Sequence, residues 1–174
     1  MANPFEQAQR KVIPAVLIYA ERSDGRILMI HRNSVSRPGD YHAGRWNGLG
    51  GKLELDESSL EAGLREFKEE AGVITEPDAW KSLGVLQFPN FKAQKCEDWL
   101  VYLFKLRLTD EQVQRVVHQN DEGDLHWIEP ADLEGLHLWP GDRHFILHVV
   151  ANTPIVGTLW YEGPNLKRVW IQKL

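Results

Sequence analysis

The chain has 174 residues, 43% of them hydrophobic, with seven tryptophans and six phenylalanines, which is enough to close one sizeable core and argues against disorder. Twenty Lys and Arg against 25 Asp and Glu leave a formal charge of −5, too acidic to capture nucleic acid or anionic lipid by bulk attraction, so a phosphate ligand needs help from a cation. No apolar run reaches the roughly 18 residues of a membrane span, residues 1–7 lack a signal-peptide pattern, and the single cysteine, Cys96, has neither a disulfide partner nor zinc spacing; a soluble, cytoplasmic chain is expected.

Residues 12–19 are apolar and largely β-branched, residues 26–32 form a second apolar stretch, and Ser23-Asp24-Gly25 between them has turn chemistry, which predicts a β-hairpin. Residues 33–44, rich in Gly, Pro and small polar side chains, read as an exposed loop leading to Arg45-Trp46-Asn47-Gly48-Leu49-Gly50-Gly51. Ser58 with Glu61 three residues on has capping-box spacing, and Gly72 supplies a stop, so a helix is expected between them with Leu60, Leu64, Phe67 and Ala71 as its buried stripe. Strands are expected over 80–88, 99–108 and 124–129, a second helix over 143–151, and a closing hairpin from 158–161 and 166–172 around Gly163-Pro164-Asn165. There is no repeat and no linker. The expected fold is one mixed α/β domain over 1–174, a sheet between helices.

The charge is concentrated. Residues 51–73 carry seven acids (Glu54, Asp56, Glu57, Glu61, Glu66, Glu69, Glu70) against Lys52, Arg65 and Lys68. Glu66, Glu69 and Glu70 stand at i, i+3 and i+4, where like charges repel by a few tenths of a kcal/mol per pair. On a 3.6-residue helix they span an arc of about 100° beside the apolar stripe, which predicts three carboxylates converging at a pocket rim. Such a set beside glycine-rich backbone suits a hard divalent cation, which takes oxygen ligands and is often completed by substrate phosphates.

Gly51, Glu57 and the run Arg65-Glu66-Phe67-Lys68-Glu69-Glu70-Ala71-Gly72-Val73, at spacings of five and seven residues, resemble the Nudix box at every defined position. The resemblance implies the Nudix fold, a mixed β-sheet sandwiched between α-helices, and divalent-metal-dependent hydrolysis of a nucleoside diphosphate linked to another moiety, with Mg²⁺ or Mn²⁺ as cofactor. It implies Glu66 and Glu70 as metal ligands, Glu69 as a further ligand or the base that deprotonates water, the Gly50 carbonyl as an additional ligand, and Arg65 as the group that orients the glutamates with Glu57 as partner.

Outside the box, residues 44–52, Leu28-Met29-Ile30-His31-Arg32, Asn120-Asp121-Glu122 and Leu138-Trp139-Pro140-Gly141-Asp142 resemble segments of Nudix enzymes that hydrolyse oxidised purine nucleoside triphosphates. On that resemblance Asn47 and Asp142 bond the purine edge, Trp139 and Phe88 pack on the ring, Tyr41 lines the mouth and Glu122 is an extra metal ligand. Lys52, with Arg32 and Arg45, is a candidate phosphate contact. On residue type alone Trp139 also reads as core before a helix and Asp142 as its N-cap. Gly141 stands where the family segment has an aspartate, which puts selectivity for oxidised guanine in question. The leading reading is cleavage of an oxidised purine deoxynucleotide, typified by 8-oxo-dGTP, to nucleoside monophosphate and pyrophosphate. The alternatives are a dinucleoside polyphosphate or ADP-ribose as substrate, the latter weakly marked by Pro89, and a non-catalytic nucleotide-binding module. The expected partner is a small nucleotide, not a nucleic-acid polymer or a membrane. The seven histidines show no zinc spacing.

Overall fold

The computed structural model describes residues 10–33 and 39–174; residues 1–7 and the centre of the loop expected over 33–44 lie outside the described residues. Strand β1 (Lys11–Glu21) turns into β2 (Ile27–Arg32), with Gly25 N–H donating to the Arg22 carbonyl at 3.0 Å. The two strands pair beside the turn, with Glu21 opposite Ile27. Further along, residues 49–53 take over the edge of β1. Ile18 and Leu49 exchange both backbone hydrogen bonds at 2.7 and 3.0 Å, Val16 N–H reaches the Gly51 carbonyl at 2.8 Å, and Leu53 N–H reaches Pro14 at 3.1 Å. The expected hairpin is therefore present at its turn and wedged open beyond it.

Strand β3 (Trp46–Asn47) pairs with β2 and leads to helix α1 (Ser59–Ala71). The expected capping box is present, with Ser58 Oγ accepting from Glu61 N–H at 3.2 Å and Glu61 accepting from Ser58 N–H at 2.8 Å. Gly72 closes the helix in the left-handed conformation, φ 74°. Strands β4 (Trp80–Lys92) and β5 (Glu97–Arg107) follow, then a short helix α2 (Asp110–Arg115) that the apolar periodicity did not reveal; Thr109 and Gln112 cap it. Strands β6 (Gln119–Asn120) and β7 (Gly123–Ile128), helix α3 (Asp142–Val150) and the closing hairpin β8 (Ile155–Glu162) and β9 (Asn165–Lys173) complete the described chain.

The strands form one mixed sheet in the order β6-β7-β2-β1-β5-β4-β8-β9, with β3 attached to β2. The β1–β5 and β4–β8 pairs are parallel and the others antiparallel. Alternation along the strands divides the core in two. Val16, Ile18, Ala20, Leu28 and Ile30 pack with Phe67 and Ala71 of α1 on one face. Ala15, Tyr19, Ile27 and Met29 pack with Phe145, Ile146 and Val149 of α3 on the other. This is the expected sheet between helices. Among the described residues no helix is long and apolar enough to cross a membrane.

The buried face of α1 differs from the expected stripe. Ala62, Gly63, Phe67, Glu70 and Ala71 are buried, while Leu60 and Leu64 are only half-buried. Without bulk at Ala62 and Gly63 the helix seats closely there, and the Trp80 ring lies against Gly63. The inward face is thereby rotated by roughly 70° toward the glutamates. That rotation decides which of them enters the interior.

Candidate active site

Three consequences follow for the acids of α1. Glu70 is drawn inside, 6% exposed, and its Oε2 accepts a 2.6 Å hydrogen bond from Gly50 N–H. Glu66 is half-buried and lies over Gly51, where a Cβ would fall 2.5 Å from its Cδ. Glu69, with a side chain 58% exposed, faces solvent and touches Arg65 Nη1 at 3.5 Å. The three carboxylates thus do not converge: Glu70 is turned into the interior, Glu66 is half-buried, and Glu69 still lies more than about 90° around the helix from the buried face. Among the described residues no three His, Cys, Asp or Glu side chains stand close enough together to hold a metal ion.

Arg65 organises this end of the site. It donates to both oxygens of Glu57, Nε at 2.7 Å and Nη2 at 2.9 Å, to Glu66 Oε1 at 2.8 Å and to the Lys52 carbonyl at 3.1 Å. The Arg65 bonds, helped by Glu54 N–H, hold the Glu57 carboxyl down at about 2. Glu66 moves the other way: desolvation raises its pKa and Arg65 opposes that rise. A half-buried carboxylate so placed favours either a proton or a cation.

Glu122 belongs to the same neighbourhood. It accepts from Arg32 Nη1, and Arg32 also pairs with Asp40 at 3.0 Å. Arg32 is therefore engaged by carboxylates. Asn120 joins the two acidic elements: its Oδ1 accepts from Glu122 N–H at 2.8 Å and its Nδ2 donates to the Glu70 carbonyl at 3.0 Å.

A cavity of about 520 Å³ runs from this acidic end along β1 to an aromatic end. Of the residues singled out from sequence, Gly50, Arg65, Glu66, Glu122, Asn47, Lys52, Phe88, Trp139 and Asp142 line it. Tyr41, Glu69 and Glu70 are not on its wall. Tyr41, expected at the mouth, stands behind Trp139 instead, with ring centroids 5.1 Å apart, and its hydroxyl donates to the Phe91 carbonyl at 3.0 Å. Arg45 also backs Trp139, its guanidinium carbon 4.1 Å from the ring centroid.

Asp142 is the first residue of α3, and its side chain does not cap the helix, since the N-cap is Gly141. It is 6% exposed, and burial pushes its pKa up to about 7 against the pull of Arg45. Trp139 is 3% exposed and serves both as core and as cavity wall.

Phe91, Lys92, Trp99, His42 and Asp40 also line the cavity and were not singled out from sequence. Phe88 opposes Trp99 across the β4–β5 pair, but a register shift between Phe88 and Lys92 hides the alternation that would have placed Phe91. Trp99 is flanked by the ammonium groups of Lys92 and Lys52, at 4.5 and 5.5 Å from its ring.

A Nudix domain model matches residues 11–149. The chain belongs to the Nudix family. This Nudix domain is 30% identical over 104 residues to an uncharacterized Nudix hydrolase of Bacillus subtilis, YvcI, an alignment covering 59% of this chain and 63% of that protein. It is 27% identical over 105 residues to the mouse oxidized purine nucleoside triphosphate hydrolase, covering 60% and 62% of the two chains. These alignments span about three fifths of the curated relatives' lengths. Its fold is similar to that of the MutT protein of Bacillus halodurans, with a TM-score of 0.73 and 23% identity over 91% of this chain and 97% of that one.

Proposed function

We propose that this Nudix domain hydrolyses a nucleoside triphosphate, in particular an oxidised purine deoxynucleotide such as 8-oxo-dGTP, to the nucleoside monophosphate and pyrophosphate with Mg²⁺ or Mn²⁺ as cofactor. The observation that carries this reading is the single cavity joining a wall of Phe88, Trp139 and buried Asp142 to the Gly50, Arg65 and Glu66 cluster. The similarity to a mammalian oxidized purine nucleoside triphosphate hydrolase favours the same substrate class. The proposal takes residues 1–174 as one domain, acting in the cytoplasm on a small nucleotide rather than on a nucleic-acid polymer or a membrane.

The donor set suits a hard cation. Glu66, Glu70, Glu122 and the Gly50 carbonyl offer only oxygen, and the absence of a side chain at Gly51 leaves the Glu66 carboxylate seated against the backbone. No three of these side chains converge as they stand, so they would hold the metal once drawn together by it, with Glu69 as a further ligand or as the base. Bound there, a divalent ion would neutralise charge and lower the pKa of a water into nucleophile range.

The chain's own residues divide the remaining work. Arg65 fixes Glu66 and Glu57 in one orientation through three hydrogen bonds and is itself anchored by a fourth to the Lys52 carbonyl. Glu69, exposed and held only by a 3.5 Å contact, has the freedom to take a proton from the attacking water. Lys52 and Lys92 supply positive charge on the wall for the phosphates. Phe88 and Trp139 bury the base, while Asn47 and Asp142 offer it an amide and a carboxyl.

The test is chromatographic separation of the mononucleotides released from a panel of 8-oxo-dGTP, dGTP, CTP, ADP-ribose and a dinucleoside tetraphosphate, with Mg²⁺, with Mn²⁺ and with EDTA. Preferential, EDTA-sensitive release from 8-oxo-dGTP is expected. Preference for ADP-ribose or the dinucleotide would overturn the substrate assignment, and binding without turnover would make the chain a nucleotide-binding module.

A further inference from the structure

Gly141 replaces the acid of the family segment, and the structure places a hydroxyl in the space this leaves. Tyr161 Oη accepts a 2.8 Å hydrogen bond from Gly141 N–H and lies 2.6 Å from where a Cβ on residue 141 would sit; Leu159 Cδ2 is 2.8 Å from the same point. Tyr161 belongs to β8, beyond the 11–149 span that the family model matches. Its ring is 4% exposed and packs on the aromatic end of the cavity, with centroids 5.3 Å from Phe91, 6.2 Å from Trp139 and 6.3 Å from Phe88.

We propose that Tyr161 of the closing hairpin is a positioning residue for base selectivity, its hydroxyl fixing the Gly141–Asp142 backbone so that Asp142 presents one defined carboxyl to the base. The inference rests on the nucleotide reading given above. An aspartate at residue 141 would bring its own second carboxyl to the segment. Here the hydroxyl occupies that place and bonds the backbone, so discrimination falls on Asp142 alone. The groups whose charge or burial bears on Asp142 come from three elements and a loop: Tyr19 of β1, Tyr161 of β8, Arg45 before β3, and the N-terminal turn of α3 itself. Of these, Tyr161 is the one hydrogen-bonded to the neighbouring backbone.

The test is Tyr161→Phe, which removes one oxygen, read with oxidised purine and pyrimidine triphosphates on the metal-loaded enzyme. The KM for the oxidised purine is expected to rise at least tenfold while kcat falls less than threefold, with little change in KM for the pyrimidine. In an Asp142→Asn background the same substitution should leave selectivity unchanged, because the hydroxyl acts through that carboxyl. Gly141→Ala, which crowds the hydroxyl from the other side, should reproduce the selectivity loss. Equal loss for all substrates, an undiminished effect in the Asp142→Asn background, or unfolding of both Tyr161→Phe and Gly141→Ala would overturn the proposal. A wild-type protein that does not prefer oxidised purines would instead refute the substrate reading on which it rests.

Discussion

The Glu66 carboxylate occupies the space that a side chain on Gly51 would fill, whereas the neighbouring Gly50 is closed off by the backbone of β1. Alanine at the two glycines should therefore fail in different ways. At Gly51 the obstacle is the end of a flexible side chain, so Gly51→Ala should cost under about 1 kcal/mol of stability yet lower turnover at least tenfold by displacing Glu66. Gly50 has φ 138° and a Cβ there would strike the Val16 carbonyl. Gly50→Ala should cost about 2–4 kcal/mol. Thermal unfolding alongside pyrophosphate release checks both.

Glu70→Gln retains the shape and an oxygen to accept from Gly50 N–H, so the protein should remain folded. On the proposal that Glu70 ligates the metal, turnover should fall by at least about 10²-fold, since losing one ligand removes several kcal/mol from the charged transition state. The rise in melting temperature on adding Mg²⁺ should shrink in parallel. A variant that keeps both full turnover and the full Mg²⁺ shift would remove Glu70 from the site.

Asp142 and His42 should give opposite pH dependences of stability. The Asp142 carboxyl, at about 7 by burial, holds its proton in the fold to a higher pH than in the unfolded chain. Its contribution is complete below about pH 4 and is lost as pH rises through 7, with a slope of up to about 1.4 kcal/mol per pH unit. Asp142→Asn should remove that decline, making the variant more stable than the parent at pH 8 and less so near pH 5. Melting curves across that range decide it, and an unchanged slope would count against the burial of this carboxyl.

His42 behaves in reverse. The Trp139 indole, a donor only, bonds His42 Nδ1 at 2.8 Å, so this nitrogen must be unprotonated. Burial first, then Lys92 and Arg32, lower the imidazole to about 4. Its stabilising contribution is present above about pH 6.5 and is lost as pH falls toward 4. His42→Phe should abolish that acid-side loss and cost about 1–3 kcal/mol at pH 7 through the orphaned indole N–H. Because the two windows overlap between pH 4 and 6.5, each single variant should unmask the slope of the other, as urea titrations at several pH values would show.

The sequence carried the elements whose signals are local. The Ser58/Glu61 box, the Gly72 stop and the alternation in β1 and β2 each depend on neighbours within a few residues, and each is present. What escaped depends on distant partners. The wedge of residues 49–53 into the β1 edge needs Ile18 and Leu49 to meet, and no pattern within either segment encodes that pairing. The rotation of α1 follows from the seating of Gly63 against Trp80, seventeen positions away in sequence. At the site, the box marked Glu57, Arg65, Glu66 and Glu70, but not that Glu69 would face outward. Phe91 and Lys92 were hidden by the irregular β4–β5 register, and Tyr161 by its place in a hairpin with no motif of its own.

The amide of Gly50 gives its proton to a side chain, whereas those of Leu49 and Leu53 on either side are bonded into β1. In an isotope-labelled sample the Gly50 resonance would therefore sense a change at Glu70, and those of Leu49 and Leu53 would sense the integrity of the sheet. Filling of the acidic end and loosening of the scaffold could then be told apart in one titration, without any chemistry taking place.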